Sequence, residues 1–353
     1  MSFEEAAYVT CLDAQQMSEQ QLRNIGTFLA ENATSLSRRE RDGVRDGGGS
    51  DTTLESLCCG AISGLRRSMS GMGKAHLTTI PRPARRKHRM DHLDVLESRT
   101  IYILREAFNK IDKLAMLWSI GKDSNVMLWC ARKAFFGYVP FPLVNIDTGK
   151  KFPEVYEFRD RVIAEWKLDC IVGTCPPVEE MDPSLPPAAR SAARKTAGLN
   201  IMLARQGFNG LIAGIRRDEE GTRAKERVFS PRGQHNTWNF RDQPPEFWDQ
   251  FNTEFAPGTH IRVHPLLHWT ELDIWRYTKR ENIPLIPLYF AKNGKRYRSL
   301  GDKDITFPIE SNADTIDAII DELMHTKISE RSGRAMDHEA EDSFERLRAE
   351  GYM

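Results

Sequence analysis

The chain is poor in cysteine, with six in 353 residues and none after Cys175. That is too sparse for a disulfide scaffold and fits a reducing compartment, so a cytoplasmic location is expected. No stretch approaches the roughly 20 apolar residues that a membrane helix needs. The acidic opening, MSFEEAAYVTCLDAQQ, lacks the apolar core of a secretory signal, so no membrane association is expected. Net charge is also missing: 50 Lys+Arg balance 50 Asp+Glu. This excludes a generally basic nucleic-acid coat but not a local anion site, and no nucleic-acid partner is expected. Hydrophobic residues at 40%, charged residues at 28% and a mean hydropathy of −0.51 describe a soluble globular chain with ample core.

Aromatics are unevenly absent. All seven Trp follow Met90, and only Phe3, Tyr8 and Phe28 precede it. Residues 43–51, GVRDGGGSD, have the composition of a flexible linker. From Gly60 to Arg89 there are eight Lys/Arg and no Asp or Glu. Residues 1–89 are therefore expected to be a disordered, basic and Gly-rich extension. A short helix over Asp13–Leu29 is allowed by the spacing of Leu22, Ile25, Phe28 and Leu29. The extension holds 13 of the basic and 10 of the acidic residues, leaving 37 and 40 in residues 90–353. The remainder is thus mildly acidic, yet five cations crowd into Arg216–Arg227.

From Met90 onward, strand and helix signals alternate. Helices are expected over Asp94–Asn109, 123–136, from Pro153 and over Ala188–Gln206. Apolar strands are expected at Leu114–Ser119, Phe141–Asp147, Leu168–Val172 and Gly210–Gly214. Alternation predicts an α/β fold with a mostly parallel sheet flanked by helices. Ligands of such sheets sit beyond the carboxyl ends of the strands. The catalytic domain is expected over 90–310, followed by a helical tail over 311–353.

The loop after the first strand reads Ser119-Ile120-Gly121-Lys122-Asp123-Ser124 and opens a helix. A helix N-terminus offers unpaired N–H groups and positive dipole to a phosphate. Gly121 permits a tight turn, and Lys122 supplies a compact positive charge. By itself the hexapeptide reads equally as a strand-to-helix turn capped by Asp123 or Ser124. It lacks the G-x-x-x-x-G-K-[ST] spacing of a Walker A loop. Asp147-Thr148-Gly149 ends the second strand and reads as a turn or as a ligand contact. Arg216, Arg217, Arg223, Lys225 and Arg227 interleave with Asp218, Glu219, Glu220 and Glu226. They form either a solvated charged helix or an anion clamp; arginine's planar fork suits sulfate and phosphate. Thr270 and Asp273 have the spacing of a helix-capping pair. His264 and His268 are four apart, but Pro265 breaks a helical metal pair.

Ser119–Ser124 resembles the PP-loop, SGGKDS, of the N-type ATP pyrophosphatases. The SIGKDS form is similar to that of the small subunits of bacterial ATP sulfurylase, within the PAPS reductase family. The resemblance runs on through KDSNVMLWCARKAF, FPLVNIDTGKKFPEVYEFRDR, GIRRDEEGTRAKERVFS and RVHPLLHWTELDIWRYTKRENIPLIPLYF to SERSGR and EGYM. It covers about residues 90–353 and none of 1–89. It implies an adenine-nucleotide alpha-hydrolase-like fold and adenylyl transfer from ATP to sulfate, a step of sulfate assimilation and cysteine biosynthesis. ATP would arrive with Mg²⁺, with no bound redox cofactor or structural metal. Ser119–Ser124 and Asp147–Gly149 would contact nucleotide; Lys122, Arg216, Arg217, Arg223, Lys225 and Arg227 would hold sulfate and the α-phosphate. Asp218 would either help hold Mg²⁺ or orient the arginines. A separate GTPase subunit is the implied partner, since this chain has no Walker A loop.

Two segments depart from the family pattern. Met181–Thr196 contains no His, and the usual insertion after PLY is short. The alternatives are a phosphoadenylylsulfate or adenylylsulfate reductase, or a non-catalytic nucleotide-binding subunit. A reductase needs a nucleophilic Cys near its C-terminus, and this chain has none after Cys175.

Overall fold

The computed structural model describes residues 90–233, 237–248, 250–327 and 330. The chain divides into two units, Met1–Arg85 and Arg86–Met353, and every described residue lies in the second. The readings made for residues 1–89, including the helix over Asp13–Leu29, and for the end of the tail over 331–353 lie outside the described residues.

Helix α1 (His92–Lys110) opens on a capping box in which Asp91 and Asp94 each bond the other's backbone N–H. Then come β1 (Leu114–Leu117), α2 (Lys122–Ala134), β2 (Leu143–Asp147), α3 (Pro153–Trp166), β3 (Cys170–Thr174), α4 (Pro187–Gln206) and β4 (Gly210–Ile212). A single turn, α5 (Gly221–Ala224), precedes β5 (Phe229–Arg232), β6 (His260–Val263) and α6 (Glu271–Glu281). The small hairpin of β7 (Lys295–Arg296) and β8 (Ile309–Glu310) and helix α7 (Ile316–His325) complete the order. Thr270 and Asp273 form the expected capping box of α6. α7 lies within the segment 311–353.

Six strands form one sheet in the order β3-β2-β1-β4-β6-β5. All neighbours are parallel except β5, which pairs antiparallel with β6 at the edge. β5 and β6 have no clear apolar run; Pro231 within β5 is tolerated because the strand is at the sheet edge. β1 shows why the interior strands read as unbroken apolar runs. Leu114, Met116 and the following Trp118 pack with residues of α1, α2, α3 and α6. Ala115 and Leu117 point the other way, toward Leu199, Met202 and Leu203 of α4. Successive side chains alternate faces, and both faces are covered, so every position is buried.

The chain builds outward from β1 to β2 and β3, then returns to place β4 on the other side of β1. That reversal opens a crevice at the carboxyl end of β1, where doubly wound sheets bind ligands. No helix among the described residues is long and apolar enough to cross a membrane.

Candidate functional site

A cleft lies at this reversal. It is lined by Ser119–Ser124, by Ala213–Ile215 beyond β4, by Lys151 beyond β2 and by Lys195 of α4. Tyr289 and residues 299–302 line it from the chain beyond α6. All six residues of the Ser119–Ser124 loop therefore face one space.

The loop's turn is made differently from the sequence expectation. Gly121 is the N-cap of α2 at φ −73, while Ile120 takes the left-handed φ of +69. A β-branched residue there is strained by about 1–3 kcal/mol. Ile120 is nevertheless almost fully buried among the core residues, and that burial offsets the strain by a similar amount. Gly121 provides no side chain to cap α2, and neither Asp123 nor Ser124 caps it. The Tyr289 hydroxyl accepts from the Lys122 N–H at 2.9 Å. Ser119 Oγ donates to Ser124 Oγ at 3.1 Å, and Ser124 Oγ donates to the Gly121 carbonyl at 2.9 Å. Beneath the loop, Trp118 Nε1 donates to Asn125 Oδ1, and Asn145 Nδ2 donates to the Trp118 carbonyl, each at 2.8 Å.

Lys122 is only 2% exposed. Its Nζ pairs with Glu330, lies 3.4 Å from Asp123 Oδ2 and 4.0 Å from Glu271 Oε1. Arg216 is fully buried and spreads its three nitrogens over Asp123, Asp218 and Glu330. Burial alone would raise the Glu330 carboxyl, but Arg216 and Lys122 outweigh it and hold it far below the carboxylate range. Burial opposes the Arg216 charge, and Glu330 with the neighbouring acids more than restores it. Glu271 completes the cluster by accepting hydrogen bonds from Nε and Nη2 of Arg298.

The remaining cations of the Arg216–Arg227 segment separate. Arg223 lines the cleft and pairs with Glu219 and Glu220. Arg217 turns to His268 Nδ1 at 2.7 Å and to the Glu226 carbonyl. Lys225 sits over the Phe240 ring, and Arg227 donates to the Pro244 carbonyl at 3.3 Å. None of these three lines the cleft. Asp218 accepts from Arg216 Nε and from the Glu271 N–H at the start of α6, so both its oxygens are engaged. Among the described residues no group of three or more His, Cys, Asp or Glu is placed to hold a metal ion. His264 Nδ1 meets the Arg227 carbonyl at 2.8 Å.

Asp147, Thr148 and Gly149 frame the cleft without lining it. Asp147 Oδ1 accepts from the Gly149 N–H at 2.9 Å and from the Tyr156 hydroxyl at 2.8 Å. Gly149 has φ +70, which a residue with Cβ adopts only under strain. Thr148 Oγ1 donates to Asp302 Oδ1 at 2.7 Å, and Asp302 also takes Ser191 and Lys195. Arg194 Nη1 donates to the Thr148 carbonyl at 2.9 Å. Both Ser191 and Arg194 belong to the segment without His, which here braces the D-T-G turn. Sequence reading missed Lys151, Lys195, Tyr289, Asp302 and Glu330 as site residues. Four lie in quoted stretches or next to them, but only the fold brings them to the cleft.

Residues 113–308 match the family described as "Phosphoadenosine phosphosulfate reductase domain". The sulfate adenylyltransferase subunit 2 of Pseudoalteromonas translucida is 39% identical over 299 residues, covering 75% of this chain and 99% of that protein. Its counterpart in Geotalea uraniireducens is 42% identical over 299 residues with the same coverage. Among solved structures, phosphoadenylyl-sulfate reductase from Candida auris, in a phosphate complex, aligns with a TM-score of 0.42 at 18% identity, over 60% of this chain and 95% of that one. On the family match and the extent of the sequence relatives, this chain belongs to the phosphoadenosine phosphosulfate reductase domain family and, within it, to the sulfate adenylyltransferase subunit 2 family.

Proposed function

We propose that this chain transfers the adenylyl group of ATP to sulfate, yielding adenosine 5′-phosphosulfate and pyrophosphate. The observation that carries the reading is the convergence of buried Lys122 and Arg216 at the start of α2, beside a cleft at the switch point of the sheet. A sulfate oxygen attacks the α-phosphorus, and the bond from that phosphorus to the bridging β-phosphate oxygen breaks. Sulfate is already an anion, so no base is needed to deprotonate it. The task is to align two anions in line and to stabilise charge on the departing pyrophosphate.

On this reading the PP-loop and Lys122 hold the pyrophosphate portion, with Arg216 and Arg223 alongside. Arg217, Lys225 and Arg227 act behind them, from positions outside the cleft. Magnesium would arrive with ATP as part of the substrate and would offset the charge of its phosphates. Asp218, already bonded to Arg216, orients that guanidinium. The partner is a separate GTPase subunit whose hydrolysis drives an otherwise unfavourable activation.

The reductase alternative requires a cysteine that this chain does not have after Cys175. The test is sulfate-dependent exchange of labelled pyrophosphate into ATP, with and without the GTPase subunit. Exchange that depends on sulfate is the expected result. ATP binding without exchange in either condition would instead make the chain a non-catalytic nucleotide-binding subunit.

A further inference from the structure

Among the described residues, four cationic side chains line the cleft, and three are already matched to carboxylates. Lys122 has Glu330, Arg223 has Glu219 and Glu220, and Lys195 Nζ lies 3.0 Å from Asp302 Oδ2. Lys151 is the exception. It lines the same cleft, is partly buried, and its Nζ has neither an ion pair nor a hydrogen-bond acceptor among the described residues. Drawing an ammonium out of water without a partner is costly unless a ligand provides the anion.

Position separates Lys151 from the cations of the first loop and of the loop after β4. Lys122 and Asp123 open α2, while Arg216 and Arg223 follow β4. Lys151 follows β2, and β2 and β4 flank β1 on opposite sides. An in-line displacement at the α-phosphorus places the attacking group opposite the leaving group. If the loop after β1, with Arg216 and Arg223 from beyond β4, holds the pyrophosphate, the counter-charge for the attacking anion belongs on the β2 wall.

We infer that Lys151 binds the acceptor anion, sulfate, across the cleft from the PP-loop. The inference rests on the adenylyl-transfer reading given above. The D-T-G turn is the device that delivers the side chain. Asp147 closes the turn, Gly149 supplies its left-handed residue, and Thr148 ties it to Asp302. The charged groups facing Lys151 are Lys195 of α4, Arg159 of α3, Asp147 of β2 and Asp302 beyond β7. Burial, then Lys195, push the Lys151 ammonium down to about 8. The lysine therefore begins to lose its charge just above neutral pH when no anion is bound, and a bound dianion raises its affinity for the proton.

The test is pyrophosphate exchange by the full chain with its GTPase partner, varying sulfate at saturating ATP and ATP at saturating sulfate. Lys151→Gln is expected to raise the KM for sulfate about tenfold or more, the loss of one charge-assisted contact. The KM for ATP is expected to stay within about twofold of wild type, the scatter expected when no contact is lost. Lys151→Arg, which keeps the charge, should recover part of the sulfate affinity. In the wild type the KM for sulfate should climb as pH rises through about 8, the value to which the lysine is depressed; in Lys151→Arg it should stay flat. An unchanged sulfate KM in Lys151→Gln, or a parallel rise in the ATP KM, overturns the assignment. No sulfate-dependent exchange by the wild-type complex overturns the adenylyl-transfer reading itself, so the two failures are distinguishable.

Discussion

Lys122 and Glu330 lie 208 residues apart in the chain and meet as a buried ion pair, with the second carboxylate oxygen of Glu330 on Arg216. One carboxylate thus pairs with both buried cations beside the start of α2. With Asp123, Asp218 and Glu271 around them, acids already satisfy the cations there. On the proposed reading, an incoming triphosphate would compete with Glu330 for the same donors. Glu330→Gln should lower the stability of the ligand-free protein by about 3 kcal/mol, because two buried cations lose their shared partner. ATP should then raise the melting temperature more in the variant than in the wild type, and nucleotide titration should show tighter binding. Equal ATP-induced shifts in both proteins would mean that carboxylate and phosphate do not compete.

The same pair fixes a pH dependence. The folded carboxyl of Glu330 sits below its ordinary value, so its contribution is fully present above the ordinary carboxylate pKa. It is lost progressively as pH falls below that ordinary value toward the depressed folded one. Acid titration of wild type and Glu330→Gln should show their stability difference persisting at pH 5 and shrinking in stronger acid. A difference that vanishes by pH 5 would contradict a depressed Glu330.

The cations of the Arg216–Arg227 segment should not be equivalent. Lys122→Ala and Arg223→Ala remove side chains that line the cleft. Each should reduce exchange activity by about 100-fold, in the range for loss of an electrostatic contact to a developing charge. Lys225→Ala and Arg227→Ala act from outside the cleft and should cost less. Arg217→Ala should lower the melting temperature, because it abandons His268 and the Glu226 carbonyl. Exchange rates and thermal melts on one set of variants would rank them; a larger loss for Arg227 than for Arg223 would reverse the order.

The described thiols should be inert. Burial pushes Cys130 up to about 12 and Cys170 up to about 11, and it raises Cys175 as well. At pH 7 roughly one in ten thousand Cys170 side chains is a thiolate, and fewer at Cys130. Alkylation at neutral pH, followed by peptide mass analysis, should leave these three unmodified and sulfate-dependent exchange intact. Rapid labelling of Cys170 with loss of activity would revive a thiol-based mechanism.

Gly149→Ala tests the turn that carries Lys151. The left-handed φ of Gly149 should make the substitution cost about 1–2 kcal/mol. The cavity there is open, with nothing within 4 Å of a new Cβ, so the cost is conformational. Thermal denaturation should register it, and unchanged stability would show that the turn relaxes.

Much of this protein was determined by local sequence. The apolar runs of β1, β2 and β4 were legible because strands covered on both faces favour apolar side chains, whereas β3, at the sheet edge, is only partly buried. Pro153 at the start of α3, the Thr270–Asp273 capping box and the loop before α2 were legible because each is set by residues within one turn. The edge strand β5 and its partner β6 were not, since neither has a long apolar run and their pairing joins distant segments. Tertiary structure also decided which cations face the cleft. Arg216 through Arg227 look alike as a charged segment, yet burial and hydrogen-bond partners send Arg223 to the cleft and Arg217, Lys225 and Arg227 away from it. Lys151 and Glu330 acquired their places only when β2 and the C-terminal segment were brought to the end of β1. Charge identity is written in the sequence; charge pairing depends on contacts between residues far apart in the chain, which only the packed fold brings within reach.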